Sequence, residues 1–148
     1  RRPIKKQANH RLPDGAEPRT SLAVTIAGEN GQALFRLANV HFYRTEQERL
    51  AQANELLARI KDQSLPTIIA GDFNSTPGSA VLDLFAKQWT VPDKGADRLT
   101  FSSDKPSREI DFLIYRPADA FRVLDIDVIH EPIVSDHRPV TLDLQFTK

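Results

Sequence analysis

The chain has 148 residues, 40% hydrophobic and 27% charged, enough for one domain with a core of its own. Twenty basic and twenty acidic side chains cancel, which argues against a dedicated non-specific nucleic-acid binder but not against an enzyme acting on nucleic acid, because local potential matters more than the sum. Cysteine is absent, which excludes disulfides, thiolate zinc sites and cysteine nucleophiles; no apolar run has the length of a transmembrane segment, and the basic start Arg1–Lys6 is not followed by the apolar stretch of an intact signal peptide.

Residues 1–20 are polar and carry Pro3, Pro13, Gly15 and Pro18, so they read as a loop or a flexible, incomplete N-terminal segment. The domain proper is expected over 21–148. Leu22–Ala27 and Leu34–Phe42 read as two strands joined by a turn with Asn30-Gly31 at its centre, a hairpin. Thr45 and Glu48 form a capping-box pattern, and Leu50, Ala53, Leu57 and Ile60 recur at helical spacing, with Leu65-Pro66 ending the helix. Thr67–Ala70 is a short apolar run of the buried-strand type, followed by a polar loop from Gly71 to Ser75. Thr76-Pro77 has the form of an N-cap with proline in the first turn, and Val81, Leu82 and Phe85 give the next helix an apolar face. Residues 90–109 are turn and loop. Ile110–Tyr115, Phe121–Ile129 and Val140–Phe146 are three more strands, the last alternating through Val140, Leu142, Leu144 and Phe146. The order predicts mixed sheet with helices packed on it, an α/β or α+β layered fold.

Polar residues at strand ends are the candidates for chemistry, since sites assemble on loops held by a rigid sheet. In Gly71-Asp72-Phe73-Asn74, extended backbone would aim Asp72 and Asn74 to one side and Phe73 into the core. A carboxylate and an amide so placed can hold a hard cation, or a water and a phosphate oxygen; equally, Asp and Asn in loops often bond their own backbone. Both readings stand for this tetrapeptide alone. Asp136 can ligate Mg²⁺ and His137 can move a proton near neutral pH, given a bend that turns both to one cavity. Asp111 precedes the apolar run Phe112–Tyr115 and needs a partner, either a histidine that it orients or Arg108 in a salt bridge. His41, taken singly, fits a satisfied core histidine better than a ligand. Arg44 is a candidate phosphate contact or a solvated arginine. His10 and His130 have no companions, and Trp89 is a packing residue.

Asn39-Val-His-Phe42, Gly71-Asp-Phe-Asn-Ser-Thr-Pro-Gly-Ser79, Ile110-Asp-Phe-Leu-Ile114 and Ser135-Asp-His-Arg-Pro-Val140 occur in that order. Each is weak alone, but the ordered set resembles successive signatures of the endonuclease/exonuclease/phosphatase superfamily, the deoxyribonuclease-I-like group, over about Arg19 to Phe146. Thr100-Phe101 before Ile110-Asp111 fits bacterial members. The resemblance implies a four-layer β-sandwich flanked by helices. It also implies in-line attack of activated water on a phosphodiester or phosphomonoester with a divalent cation, usually Mg²⁺, with Mn²⁺ or Ca²⁺ as substitutes. By position, His137 would be the general base or a phosphate contact and Asp111 would orient it. Asp72 and Asn74 would hold nucleophile and phosphate and a second cation, Asp136 would bind metal, and His41 would bond a phosphoryl oxygen or assist the leaving group. The substrate would be nucleic acid, a phospholipid head group or a small phosphate ester.

The family also carries, upstream, an asparagine in its first strand and a metal-binding glutamate, which no residue here matches; Glu17 and Glu29 fall in loops on the wrong side of the hairpin. With Arg1 at the start and no methionine in the sequence, the chain is expected to be a C-terminal portion, its missing half accompanying it as a separate polypeptide or replaced by a second copy. The alternative to the enzyme is a catalytically incomplete fragment or binding-only member. A third reading makes Glu46–Lys61 a helical interaction module, although packing on a sheet requires the same apolar stripe.

Overall fold

The computed structural model describes residues 2–13 and 15–147. Five strands form one mixed sheet in the order β1-β2-β3-β4-β5: β1 Ile4–Arg11, β2 Thr20–Ala27, β3 Ala33–His41, β4 Thr67–Asp72 and β5 Asp111–Arg116. Two further strands, β6 Phe121–Val128 and β7 Val140–Phe146, make a separate antiparallel pair. Among the described residues only β3 and β4 run parallel, and the crossover between them holds helix α1, Glu46–Arg59. Helix α2, Ala80–Ala86, follows β4.

Alternation along the strands sorts the sheet into two faces. Ala23, Ala38, Val40, Ile69, Phe112 and Ile114 point to one side and are buried with Ala53, Leu56 and Ile60 of α1 and Val81, Leu82 and Phe85 of α2. Phe42, Phe73 and Phe85 sit at the centre, with ring centroids 5.3–6.2 Å apart. The apolar stripe of α1 is therefore spent on this core, which leaves the interaction-module reading without its surface. On the opposite face, Phe35 meets Phe146 at 5.8 Å and Tyr115 meets Phe121 at 5.4 Å, so the β6–β7 pair forms a second sheet layer there. Helices, large sheet and small sheet are three stacked layers, a partial form of the expected four. Leu22 on the non-helical face is half exposed.

Several local expectations change. Residues 4–11 form β1 rather than a loop. Their polar composition suits an edge strand whose backbone is satisfied by β2 alone, without a buried side-chain face. The hairpin loop is longer than a centred Asn-Gly turn: Gly31 N–H bonds Gly28 O, and Gly28 N–H bonds Gln32 O. Helix α1 begins as expected, with the Thr45 hydroxyl accepting from Glu48 N–H, but it stops at Arg59, well before Pro66. Ile60 and Asp62 carbonyls past its end are held instead by side chains of Arg116 and Arg36. Buried Gln52 is satisfied at both ends, by Pro13 O at 3.0 Å and Tyr43 N–H at 2.8 Å. Ser79, not Thr76, caps α2. Thr76-Pro77-Gly78-Ser79 forms a type II turn instead, with proline second, Gly78 third at φ 80° and Ser79 N–H on Thr76 O at 3.1 Å.

Gly71 sits at φ 143°, and a Cβ there would lie 1.9 Å from the Val40 carbonyl oxygen. The clash is with backbone, so the β3–β4 ladder would have to open beside the candidate site. Gly71→Ala is expected to destabilise the fold by about 3 kcal/mol. Chemical denaturation checks this, and an unchanged midpoint would contradict it.

Candidate active site

The strand registers bring three of the candidates into one row. His41 at the end of β3 pairs with Asp72 at the end of β4, and Asp72 pairs with Asp111 at the start of β5. Directly opposed residues share a face, so all three project from the non-helical side. His41 Nε2 lies 3.3 Å from Asp72 Oδ2. Its side chain is 55% exposed, so it is not a core histidine.

His137 arrives from the far end of the chain. Thr100 Oγ1 accepts from Ile110 and Asp111 N–H, fixing the start of β5. The same segment bonds the His137 strand, through Arg138 N–H to Thr100 O and Ser103 N–H to Asp136 O. Ser103 Oγ also donates to Ser135 O at 2.7 Å. Behind this loop Lys94 and Glu109 form a buried ion pair at 2.6 Å. The His137 ring rests 4.9 Å from the Phe101 ring, whose other close partner is the Arg108 guanidinium at 4.6 Å. Arg108 is thus occupied on Phe101, and the partner of Asp111 is the histidine: His137 Nδ1 lies 2.8 Å from Asp111 Oδ2. An ionised carboxylate only accepts, so Nδ1 carries the hydrogen and the neutral ring presents a bare Nε2. That Nε2 is 4.0 Å from Asp72 Oδ2.

The two readings of Gly71–Asn74 are both realised, one on each oxygen of Asp72. Oδ1 accepts from Asn74 N–H at 2.7 Å, an Asx-turn, and Oδ2 faces the histidines. Asn74 takes φ 48°, a conformation asparagine tolerates, and its amide donates to Phe42 O at 2.9 Å. Phe73 is fully buried.

Asp72, Asp111 and His137 offer ligand atoms within 4.8 Å of one another. Asp136 is not in this group; it lies exposed on the bend before His137. Arg44, Glu17 and Glu29 are also exposed. Sequence reading missed the mutual approach of Asp72 and Asp111, which only the register reveals, and the bracing by Thr100 and Ser103: Thr100 stands out only within the Thr100-Phe101 pair, and a serine in a loop gives no distinctive signal. A cleft of about 330 Å³ opens beside Asp111 and His137, floored by Ala70, Leu113 and Val140.

The electrostatics are those of a crowded acid pair. Burial pushes the Asp72 carboxyl up; the Asn74 N–H opposes this, the Asp111 charge adds to it, and both histidines offset it. For His137, burial pulls proton affinity down, but the hydrogen bond and charge of Asp111, with Asp72 and Asp136 behind, outweigh it and leave it raised.

A helix-backed mixed sheet with acids and histidines gathered at its strand ends defines an α/β protein with a carboxylate–imidazole cluster at one end of its sheet. The chain belongs to the endonuclease/exonuclease/phosphatase family, whose model matches residues 1–137. No curated protein matches the sequence. Among solved structures, a functionally unknown conserved protein from Enterococcus faecalis is similar at TM-score 0.85 and 22% identity, covering 98% of this chain and 67% of its own. The Bacteroides thetaiotaomicron mannosyl-6-phosphatase follows at 0.84 and 21%, covering 98% and 67%. The human nocturnin catalytic domain with bound sulfate gives 0.83 and 26%, covering 99% and 61%. The chain thus spans about two thirds of the length of these structures. The family comprises hydrolases of phosphoesters, both nucleases and phosphatases.

Proposed function

We propose that this chain carries the catalytic carboxylate–imidazole cluster of a divalent-metal-dependent phosphoesterase. The observation that carries the reading is the Asp111–His137 contact at 2.8 Å with Nε2 turned toward Asp72. His137 Nε2 takes a proton from the attacking water, and Asp111 holds the ring in the required tautomer and steadies the imidazolium that forms. Asp72 Oδ2 lies where it can accept a hydrogen bond from the same water. The water oxygen forms the new bond to phosphorus in line with the departing ester oxygen, whose P–O bond breaks. His41, half exposed on the other flank of Asp72, donates to a phosphoryl or leaving oxygen.

The residues fit a hard cation. Two carboxylates side by side, one of them raised by burial and by its neighbour's charge, are the oxygen donors Mg²⁺ favours. Asp72 and Asp111 would hold it, in place of the Asp136, Asp72 and Asn74 set expected from the resemblance. Mg²⁺, with Mn²⁺ or Ca²⁺ as substitutes, supplies charge stabilisation of the phosphoryl oxygens when bound. The substrate class is a phosphoester: nucleic acid, phospholipid head group or small phosphate ester.

Hydrolysis of bis(p-nitrophenyl) phosphate by the purified chain tests the reading. Turnover with Mg²⁺ that falls to background in EDTA and returns on adding metal is expected. Turnover indifferent to EDTA would overturn metal dependence, and no turnover under any metal would favour a binding-only role.

A further inference from the structure

At the opposite end of β5 from Asp111, Arg116 is 7% exposed, buried among core residues. Five residues at about 3.3 Å each put it roughly 16 Å along the strand from Asp111, clear of the acid–histidine cluster. Its Nη2 bonds the Ile60 carbonyl past the end of α1, and its guanidinium carbon lies 4.6 Å from the centroid of the Trp89 ring. Those contacts account for one nitrogen and one face. The Nε–H is buried with no hydrogen-bond partner, and among the described residues no carboxylate lies within ion-pair distance of the guanidinium. The nearby Asp62 is already engaged by Arg36 at 3.1 Å.

The Nε–H is walled off from the cavity as well, but a buried cation with no carboxylate in ion-pair range remains costly unless an anion comes close to it. Burial, and then the Arg36 charge, both disfavour the charged guanidinium here, against an opposing pull from Asp62. Arg116 lines a cavity of about 380 Å³ together with Gln63, Leu65, Gln88 and Pro117. That volume is in the range of small-ligand pockets. Among the described residues the lining contains no acid. Gln63 and Gln88 are exposed at its mouth with amide donors, and Leu65 and Pro117 provide apolar wall. One cation in a low-dielectric wall matches a single negative charge and penalises a second.

We propose that this cavity binds a monoanionic organic carboxylate with an apolar body, its carboxylate on Arg116 and the mouth glutamines, its tail against Leu65 and Pro117. The site is independent of the phosphoesterase reading.

Trp89 is the only tryptophan in the sequence, so its fluorescence reports on the ring that Arg116 touches. The folded chain is titrated with sodium hexanoate at constant ionic strength, beside hexanamide as the uncharged analogue. A saturable change with hexanoate and none with hexanamide is expected. Arg116→Met should abolish it. Should that variant fail to fold, the paired substitution Gln63→Leu and Gln88→Leu, both at exposed positions, decides: affinity about tenfold weaker is expected. A non-saturable response, an equal response to hexanamide, or undiminished affinity in either folded variant would overturn the site.

Discussion

His137→Ala lowers kcat for bis(p-nitrophenyl) phosphate by about 10³-fold, the scale of a lost general base. The fold should survive, because the ring is partly exposed and the segment that carries it is held by backbone bonds from Thr100 and Ser103. Steady-state kinetics beside a circular dichroism spectrum check both halves. Activity within tenfold of the parent protein would remove His137 from the mechanism. The raised proton affinity of His137 also fixes a direction in pH. The base acts only when neutral, so the acid limb of the profile should lie above that of a free imidazole. Asp111→Asn keeps an acceptor oxygen for Nδ1 but withdraws the charge that helps raise it, so the limb moves to lower pH as the rate falls. For stability the sign is the usual one for a histidine that has gained a partner. The contribution is fully present below the unfolded pKa and is lost as pH rises through the higher folded value.

Asp72→Asn is expected to do two opposite things. Turnover falls by about 10²-fold or more, since the site loses a carboxylate that faces both histidines and pairs with Asp111 across the ladder. Stability rises. The folded state raises the Asp72 pKa, burial first among the causes, so folding disfavours the ionised form and the penalty stands at neutral pH. Asparagine removes the charge and keeps an oxygen for the Asn74 N–H. A gain of about 2–4 °C in Tm without added metal is expected, with parent and variant converging as pH falls and Asp72 protonates. A variant that loses both activity and stability would show that Asp72 is a structural turn residue, and one that keeps activity would show that it is a bystander. Sites that store like charge for function commonly show this exchange of stability for activity.

Much of this protein is legible in its sequence because the relevant physics is local. Thr45 caps α1 through a bond spanning three residues, β7 alternates because one of its faces is half-buried, and Phe73 must turn inward between two polar neighbours. The ordered motifs around His41, Asp72, Asp111 and His137 carried the family and the roster of the candidate site for the same reason: short runs of residues record what each strand end presents. β1 escaped because an edge strand with little to bury has no apolar signature, and the end of α1 because Arg36 and Arg116, distant in sequence, take up the carbonyls past its last turn. The arrangement of the site needed the tertiary structure. Asp72 faces His41 on one side and Asp111 on the other only because β3 runs parallel and β5 antiparallel to β4 in those registers. His137 meets Asp111 across 26 residues only because Thr100, Phe101 and Ser103 bind both segments. Adjacency in sequence put Asp136 beside His137, yet the bend leaves Asp136 exposed and carries His137 alone to the acids. Chain neighbours share a backbone, whereas a site is decided by which side chains the sheet register and loop bonds bring within reach of one another.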